Sequence, residues 1–129
     1  MNRNYTAWYA LKSQLEAGDF KGNFSEREIW WCSIGANIGH EEDGKHRYFE
    51  RPVIVLRKYN KNYFLGLPLT SVVKQSIFYA SIHVNNSPGS VLLSQSRTLS
   101  VKRLRRRLGK VSHTEFTGIK SAFKKLHSL

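Results

Sequence analysis

Carboxylates all but vanish from this chain after residue 50. Residues 51–129 hold fifteen Lys or Arg and one acid, Glu115, against six bases and eight acids in residues 1–50. The formal charge of +12 therefore divides into −2 for the first part and +14 for the second. Such an imbalance repels itself and attracts a polyanion, which makes RNA or DNA the first partner to consider. An acidic protein that masks the same face is the second. Cysteine is scarce too. Cys32 is the only one, which excludes a disulfide framework and a Cys-based zinc cluster. No apolar run is long enough to cross a membrane. The N-terminus shows no apolar signal-peptide stretch, so a reducing cytoplasm is the expected compartment. The arginines do not sit opposite a lipid-seeking face, so no membrane partner is expected. A Gly-rich phosphate loop, HExxH, a nucleophile elbow and CxxC are all missing. The histidines lack metal spacing, and neither a metal nor a cofactor is expected.

What is present predicts one domain by size, with a modest core. Tyr5, Trp8, Leu11 and Leu15 recur at three- and four-residue steps before Gly18, the pattern of a short helix. Residues 18–25 read as a linker. Ile29, Trp30, Trp31, Cys32, Ser33 and Ile34 suggest a strand over 28–34, with Cys32 a small buried side chain rather than a nucleophile. Gly35, Gly39 and Gly44 mark an irregular loop carrying Glu41, Glu42 and Asp43. Val53-Ile54-Val55-Leu56 is an unbroken apolar run, as in a central strand. Tyr59-Asn60-Lys61-Asn62 reads as a hairpin turn and 63–67 as the return strand. Pro68 forces an extended entry into Leu69-Thr70-Ser71. Further strands are expected over 76–84, 90–93 and 104–111, with a turn over 85–89 and one helical turn over 100–103. Ser112 and Glu115 match a capping box, and Phe116, Ile119, Ala122, Phe123 and Leu126 share the face of a final helix. This order predicts a small curled antiparallel sheet with helices against it.

Several side chains invite a functional reading. Arg51 enters an apolar strand with its stem partly buried. A held guanidinium suits phosphate because its fork matches two oxygens; equally, it is an ordinary charge flanking a strand. Thr70 and Ser71 either donate to a phosphate oxygen or cap a turn. Gln95 and Arg97 lie between a strand and a turn. His40 and His46 flank the acidic loop, where either could titrate near neutrality. His83 is expected half-buried on a strand. Six of the nine residues over 102–110 are basic, with no acid nearby in sequence, so Lys102, Arg103 and Arg105 are candidate phosphate contacts. Tyr59, Tyr63 and Phe64 are candidate stacking surfaces for unpaired bases, against core packing as the competing fate.

These residues carry a resemblance. Glu28-Ile29-Trp30, then Gly39-His40-Glu41 through Gly44, then Arg51-Pro52-Val53-Ile54-Val55-Leu56 resembles the opening of the MazF/PemK family of toxin endoribonucleases. Pro68-Leu69-Thr70-Ser71 is similar to its next block. Ser90-Val91-Leu92-Leu93-Ser94-Gln95-Ser96-Arg97-Thr98-Leu99-Ser100 is similar to the one after. Lys102-Arg103-Leu104 and Leu108-Gly109-Lys110-Val111 follow in the same order. The likeness spans roughly 25–126.

The resemblance implies an SH3-like, mostly antiparallel small β-barrel over 25–129, with residues 1–24 an added N-terminal helix and linker, and a C-terminal helix. It implies a homodimer, a single-stranded RNA substrate and an acidic antitoxin. It also implies metal-independent cleavage by the ribose 2′-hydroxyl, leaving 2′,3′-cyclic phosphate and 5′-hydroxyl ends. The family's arginine before proline falls on Arg51, and its active-site threonine on Thr70, with Ser71 beside it. His40, Glu41, His46, Gln95, Arg97, Lys102, Arg103 and Arg105 are then expected along the substrate. Some members carry an arginine and an aspartate where this chain has Leu92 and Ser94, so an acid–base scheme built on those positions does not transfer. The general base is open among His40, His46, Glu41 and Glu42. Two other readings compete: a catalytically inactive RNA- or DNA-binding barrel, and a structural protein that binds nucleic acid nonspecifically through 102–110.

Overall fold

The computed structural model describes residues 22–34 and 50–129. The expected N-terminal helix and the acidic loop with His40, Glu41 and His46 lie outside the described residues. Within them, seven strands precede one helix: β1 (Glu28–Ser33), β2 (Glu50–Lys58), β3 (Tyr63–Thr70), β4 (Tyr79–Val84), β5 (Ser87–Leu92), β6 (Arg97–Ser100), β7 (Leu104–Lys110) and α1 (His113–Leu126), with a 3₁₀ turn at Val101–Arg103. All pairings are antiparallel, in the order β4-β5-β3-β2-β1-β7, and β6 adds to β3. The sheet curls into a half-barrel with α1 packed beside β4.

The apolar run of β2 is explained by two cores, one on each face. Ile54 and Leu56 join Ile29, Trp31, Leu67, Leu69, Ile82, Val91, Phe116 and Ile119 on one side. Val53 and Val55 join Phe24, Trp30, Cys32, Phe64, Leu99 and Leu104 on the other. A strand buried on both faces has no polar alternation to show. Phe24 is 2% exposed and stacks 5.3 Å from Phe64. The core thus begins one residue before the expected domain start.

Three local expectations need correction. β3 does not stop at Leu67 but runs through Pro68 to Thr70. Its first half pairs with β6 and its last two residues with β5, so Pro68 falls where the strand changes partners and its missing N–H costs no ladder bond. The turn expected over 85–89 is only Asn85-Asn86, both at positive φ (50° and 73°), the geometry of a tight hairpin. Ser87, Pro88 and Gly89 belong to β5. Val84↔Ser87 flanks this two-residue turn, so the next pair, His83↔Pro88, is the non-bonded one; Pro88 again loses nothing. Finally, β4 starts at Tyr79, because residues 73–78 are exposed.

The final helix follows its sequence signals, with one change. Ser112 Oγ accepts from Glu115 N at 3.1 Å, as a cap should. The Glu115 carboxylate instead accepts from His83 N at 3.0 Å and stands 3.1 Å from His83 Nδ1. It thereby ties α1 to β4, and His83 is exposed rather than half-buried. The far ends of the half-barrel are bridged by Asn85, whose Nδ2 donates to Leu108 O at 2.9 Å. No helix among the described residues is long and apolar enough to cross a membrane.

Candidate functional site

Strand register brings the separated sequence blocks into one row. Cys32 on β1 pairs with Arg51 on β2. Val53 pairs with Pro68, and continuing that register two residues sets Arg51 beside Thr70. Thr70 in turn pairs with Ser90 on β5. Residues directly opposite in a sheet share a face, so Cys32, Arg51, Thr70 and Ser90 form a ladder across four strands. Arg51 is half-buried, and its Nη2 reaches Leu69 O at 3.4 Å. This contact is long for a hydrogen bond, but it draws the guanidinium toward the Thr70 end of β3.

The hydroxyls of the row differ in what they can do. Thr70 keeps 8% of its surface, and its Oγ1 accepts from Val72 N at 3.2 Å. That leaves its proton available to donate. Ser90 is fully buried, and its Oγ accepts from Lys74 N at 2.9 Å. This bond pins the exposed segment that follows Thr70. Ser71 is also fully buried, and its hydroxyl has no hydrogen-bond partner. It cannot touch a substrate without a rearrangement of the corner.

Around this row sit cations from the 3₁₀ turn and from β7. Arg103 Nη1 donates to Ser33 O at 3.1 Å, so its guanidinium reaches the end of β1. Burial pushes the Cys32 thiol far above its ordinary range, and the Glu50 carboxylate adds to the shift; Arg105 and Arg103 act against it. Leu104 pairs with Cys32 across the β1–β7 ladder, so Arg103 and Arg105 flank the residue that stands across β1 from Arg51. Cys32 is a core side chain, as its place in an alternating strand indicated.

The basic stretch is not one uniform surface. Arg106 Nη2 lies 3.3 Å from Glu50 Oε1, and Arg107 Nε 3.6 Å from Glu28 Oε2. The acids missing from its sequence neighbourhood come from β1 and the start of β2, which the sheet places alongside. Lys102, Arg105 and Lys110 are exposed and meet no carboxylate among the described residues. Two irregularities in the β1–β7 ladder leave Arg105 and Leu108 as extra residues on β7. Such bulges re-aim side chains, here separating Arg105 from its two ion-paired neighbours.

Gln95 and Arg97 are exposed, and Arg97 lies apart from the row. Arg97 opens β6 opposite Gly66, about 13 Å along β3 from Thr70. Of the expected site residues, the structure gathers Arg51, Thr70, Arg103 and Arg105. Sequence reasoning missed Ser90 and Glu50. Ser90 looks no different from the neighbouring serines until its partner Lys74 is seen. Nothing in sequence marks Glu50 until Arg106 arrives across the sheet.

A family model described as "PemK-like, MazF-like toxin of type II toxin-antitoxin system" matches residues 25–127. No curated protein matches the chain in sequence. Solved structures share the fold at low identity. A mycobacterial endoribonuclease in complex with its cognate antitoxin is 14% identical, with a TM-score of 0.65 over 83% of this chain and 97% of that one. MazF from Deinococcus radiodurans is 21% identical, with a TM-score of 0.62 over 89% of this chain and 100% of that one. The Mycobacterium tuberculosis toxin MazF-mt6 is 18% identical, with a TM-score of 0.61 over 80% and 98%.

Proposed function

The chain belongs to the PemK-like, MazF-like toxins of type II toxin–antitoxin systems, and from that membership we propose that it is a metal-independent endoribonuclease cutting single-stranded RNA. The observation that carries this reading is the row Arg51–Thr70, assembled from two sequence blocks and drawn together at Leu69 O. A cation and a hydroxyl with an available proton, set side by side on rigid strands, fit a phosphate diester.

The chemistry needs little else from the protein. The ribose 2′-oxygen attacks phosphorus as its proton passes to a base. The bond from phosphorus to the 5′-oxygen breaks, and that oxygen takes up a proton. The products are a 2′,3′-cyclic phosphate and a 5′-hydroxyl. Negative charge grows on the non-bridging oxygens during attack, and Arg51 and Thr70 meet it where it develops. Arg51 also protonates the leaving oxygen, an alkoxide more basic than guanidine. A charged arginine makes a poor base, so the base lies elsewhere, with His40, His46, Glu41 and Glu42 the candidates. Leu92 and Ser94 carry no ionisable group and supply none. Arg103 and Arg105 hold flanking phosphates, Ser71 supports the corner beneath Thr70, and Gln95, Arg97 and Lys102 contact RNA further from the cut. An acidic antitoxin that covers this cationic face silences the enzyme, which works in the cytoplasm as a homodimer. Relatives of the same fold solved with antitoxins support that partner.

Incubation with a long single-stranded RNA in EDTA, with fragment ends mapped, tests the proposal. Discrete cuts with cyclic phosphate and 5′-hydroxyl ends are expected. Arg51→Ala should slow them by about 10²–10³-fold, the usual loss for one donor to a developing oxyanion. RNA binding without cuts by the unaltered chain would leave the inactive binding barrel as the better reading.

A further inference from the structure

We propose a second RNA-binding site on this chain, a stacking platform for unpaired bases formed by Tyr59 and Tyr63, remote from Arg51. The inference rests on the ribonuclease reading only for its choice of RNA as the polyanion. Both rings are large and half-exposed, at 51% and 49%, although the turn that carries them is well anchored. Tyr59 N donates to Tyr63 O at 3.1 Å. Lys58↔Phe64 is the preceding pair, so the tyrosines are directly opposite and share a face. Phe64 points the other way, into the core, which removes it from the candidate stacking residues.

The hairpin is held before any ligand arrives. Asn60 Oδ1 accepts from Asn62 N at 2.7 Å and from Tyr63 N at 2.9 Å. Val101 N donates to Asn62 O at 2.8 Å, which brings the 3₁₀ turn and Lys102 against the hairpin. Little ordering cost is left for binding, which favours affinity. Cations frame the rings: Lys61 within the turn, Lys102 beside it and Arg57 two residues before Tyr59, all exposed. The acid nearby is Glu26, 3.8 Å from Arg57 Nη1 and already accepting from Lys58 N. Paired aromatic faces ringed by positive charge bind unpaired bases by stacking, with phosphates tracked by the cations. The same charge disfavours a second copy of this chain.

The site is separate from the Arg51 row. Seven residues of β2, Pro52–Lys58, separate Arg51 from Tyr59, about 25 Å of strand. The extra residue between Val55 and Arg57 in the β2–β3 ladder also turns the tyrosines to the opposite face of the strand from Arg51. The platform therefore holds RNA well away from the cut and retains a long molecule near the enzyme.

Labelled oligouridine RNAs of about four and about sixteen nucleotides, spanning the usual range of single-strand site sizes, test this by fluorescence anisotropy in EDTA. The chains compared are the unaltered one, Tyr59→Ala/Tyr63→Ala, Tyr59→Phe/Tyr63→Phe and Arg51→Ala. The double alanine chain should lose at least about fivefold in affinity for the long RNA, the low end for one stacked base. The double phenylalanine chain, which keeps both π-faces, should not. Arg51→Ala should retain the tyrosine-dependent part. Equal long-RNA binding by the unaltered and double alanine chains, at equal melting temperatures, would overturn the platform. So would a change of sedimenting mass on alanine substitution, which would mark the patch as a contact between copies. Cleavage with no tyrosine dependence removes the platform alone. Tyrosine-dependent binding with no cleavage removes the ribonuclease reading alone.

Discussion

Single residues in this chain owe their roles to what the sheet puts opposite them. Ser90 is the sharpest case. Its hydroxyl is sealed in the core and holds Lys74 N, so it fixes the segment after Thr70 without reaching RNA itself. Ser90→Ala should cost about 1 kcal/mol of stability, read by thermal melting. It should slow single-turnover cleavage by about tenfold while RNA affinity stays close to that of the unaltered chain, because small misplacements act on rate. Loss of affinity with an unaltered rate would mean that Ser90 does not position Thr70. Cys32 makes the opposite case, a reactive residue type made inert. Burial raises its thiol pKa and hides its sulfur, so a thiol reagent should label the native chain only as fast as it unfolds. Rapid labelling under native conditions would contradict this. Sequence alone announced the burial of Cys32 through strand alternation. It could not announce Ser90, because a serine whose partner is sixteen residues away leaves no local pattern.

At the scale of elements, the strands declare themselves and their ends do not. β1 and β2 were legible from alternation and an apolar run. β6 was not, because its four residues carry one buried apolar side chain, Leu99. The tight β4–β5 turn shows what decides an end. Asn85 and Asn86 accept positive φ more readily than most residues, so the chain reverses in two residues rather than five. Asn86→Gly should be neutral or mildly stabilising at φ 73°. Asn85→Ala should cost about 1–2 kcal/mol, because it loses the bond to Leu108 O that bridges the two ends of the half-barrel. Gly66 on β3 is constrained by space instead. A Cβ there would sit 2.5 Å from Val53 Cγ1, so Gly66→Ala should destabilise by about 1–3 kcal/mol. Urea unfolding of the three variants checks the order, and a stable Gly66→Ala chain would show that the second core is loosely packed.

For the whole molecule, the division of charge along the chain becomes a division of labour among the cations of residues 102–110, in the 3₁₀ turn and β7. Two of them are spent on structure. Arg106→Ala strips a partner from Glu50, whose side chain is 10% exposed, and should cost roughly 1–3 kcal/mol. Lys102 and Arg105 have no such duty. Replacing either by Ala should leave stability nearly unaltered and lower the salt dependence of RNA binding by about 0.7 in the log–log slope for each phosphate no longer neutralised. Titrations at several salt concentrations read this directly. A slope unaffected by Arg105→Ala but reduced by Arg107→Ala would reverse the assignment.

By itself the sequence determined that the chain carries the charge to attract a polyanion, that one cysteine allows neither an internal disulfide nor a Cys-based zinc cluster, that the sheet is antiparallel, and that the chain resembles a toxin family through blocks at Arg51 and Thr70. These are composition, periodicity and short-range order, all written along the chain. The tertiary structure decided which of those residues meet. It placed Arg51 beside Thr70, lodged Ser71 out of reach, sent acids from β1 and β2 to quench Arg106 and Arg107, and set two tyrosines face-up on a braced turn. The reason is register: each of these outcomes depends on which residue lies opposite which across a sheet, and a shift of one residue would turn every side chain to the other face.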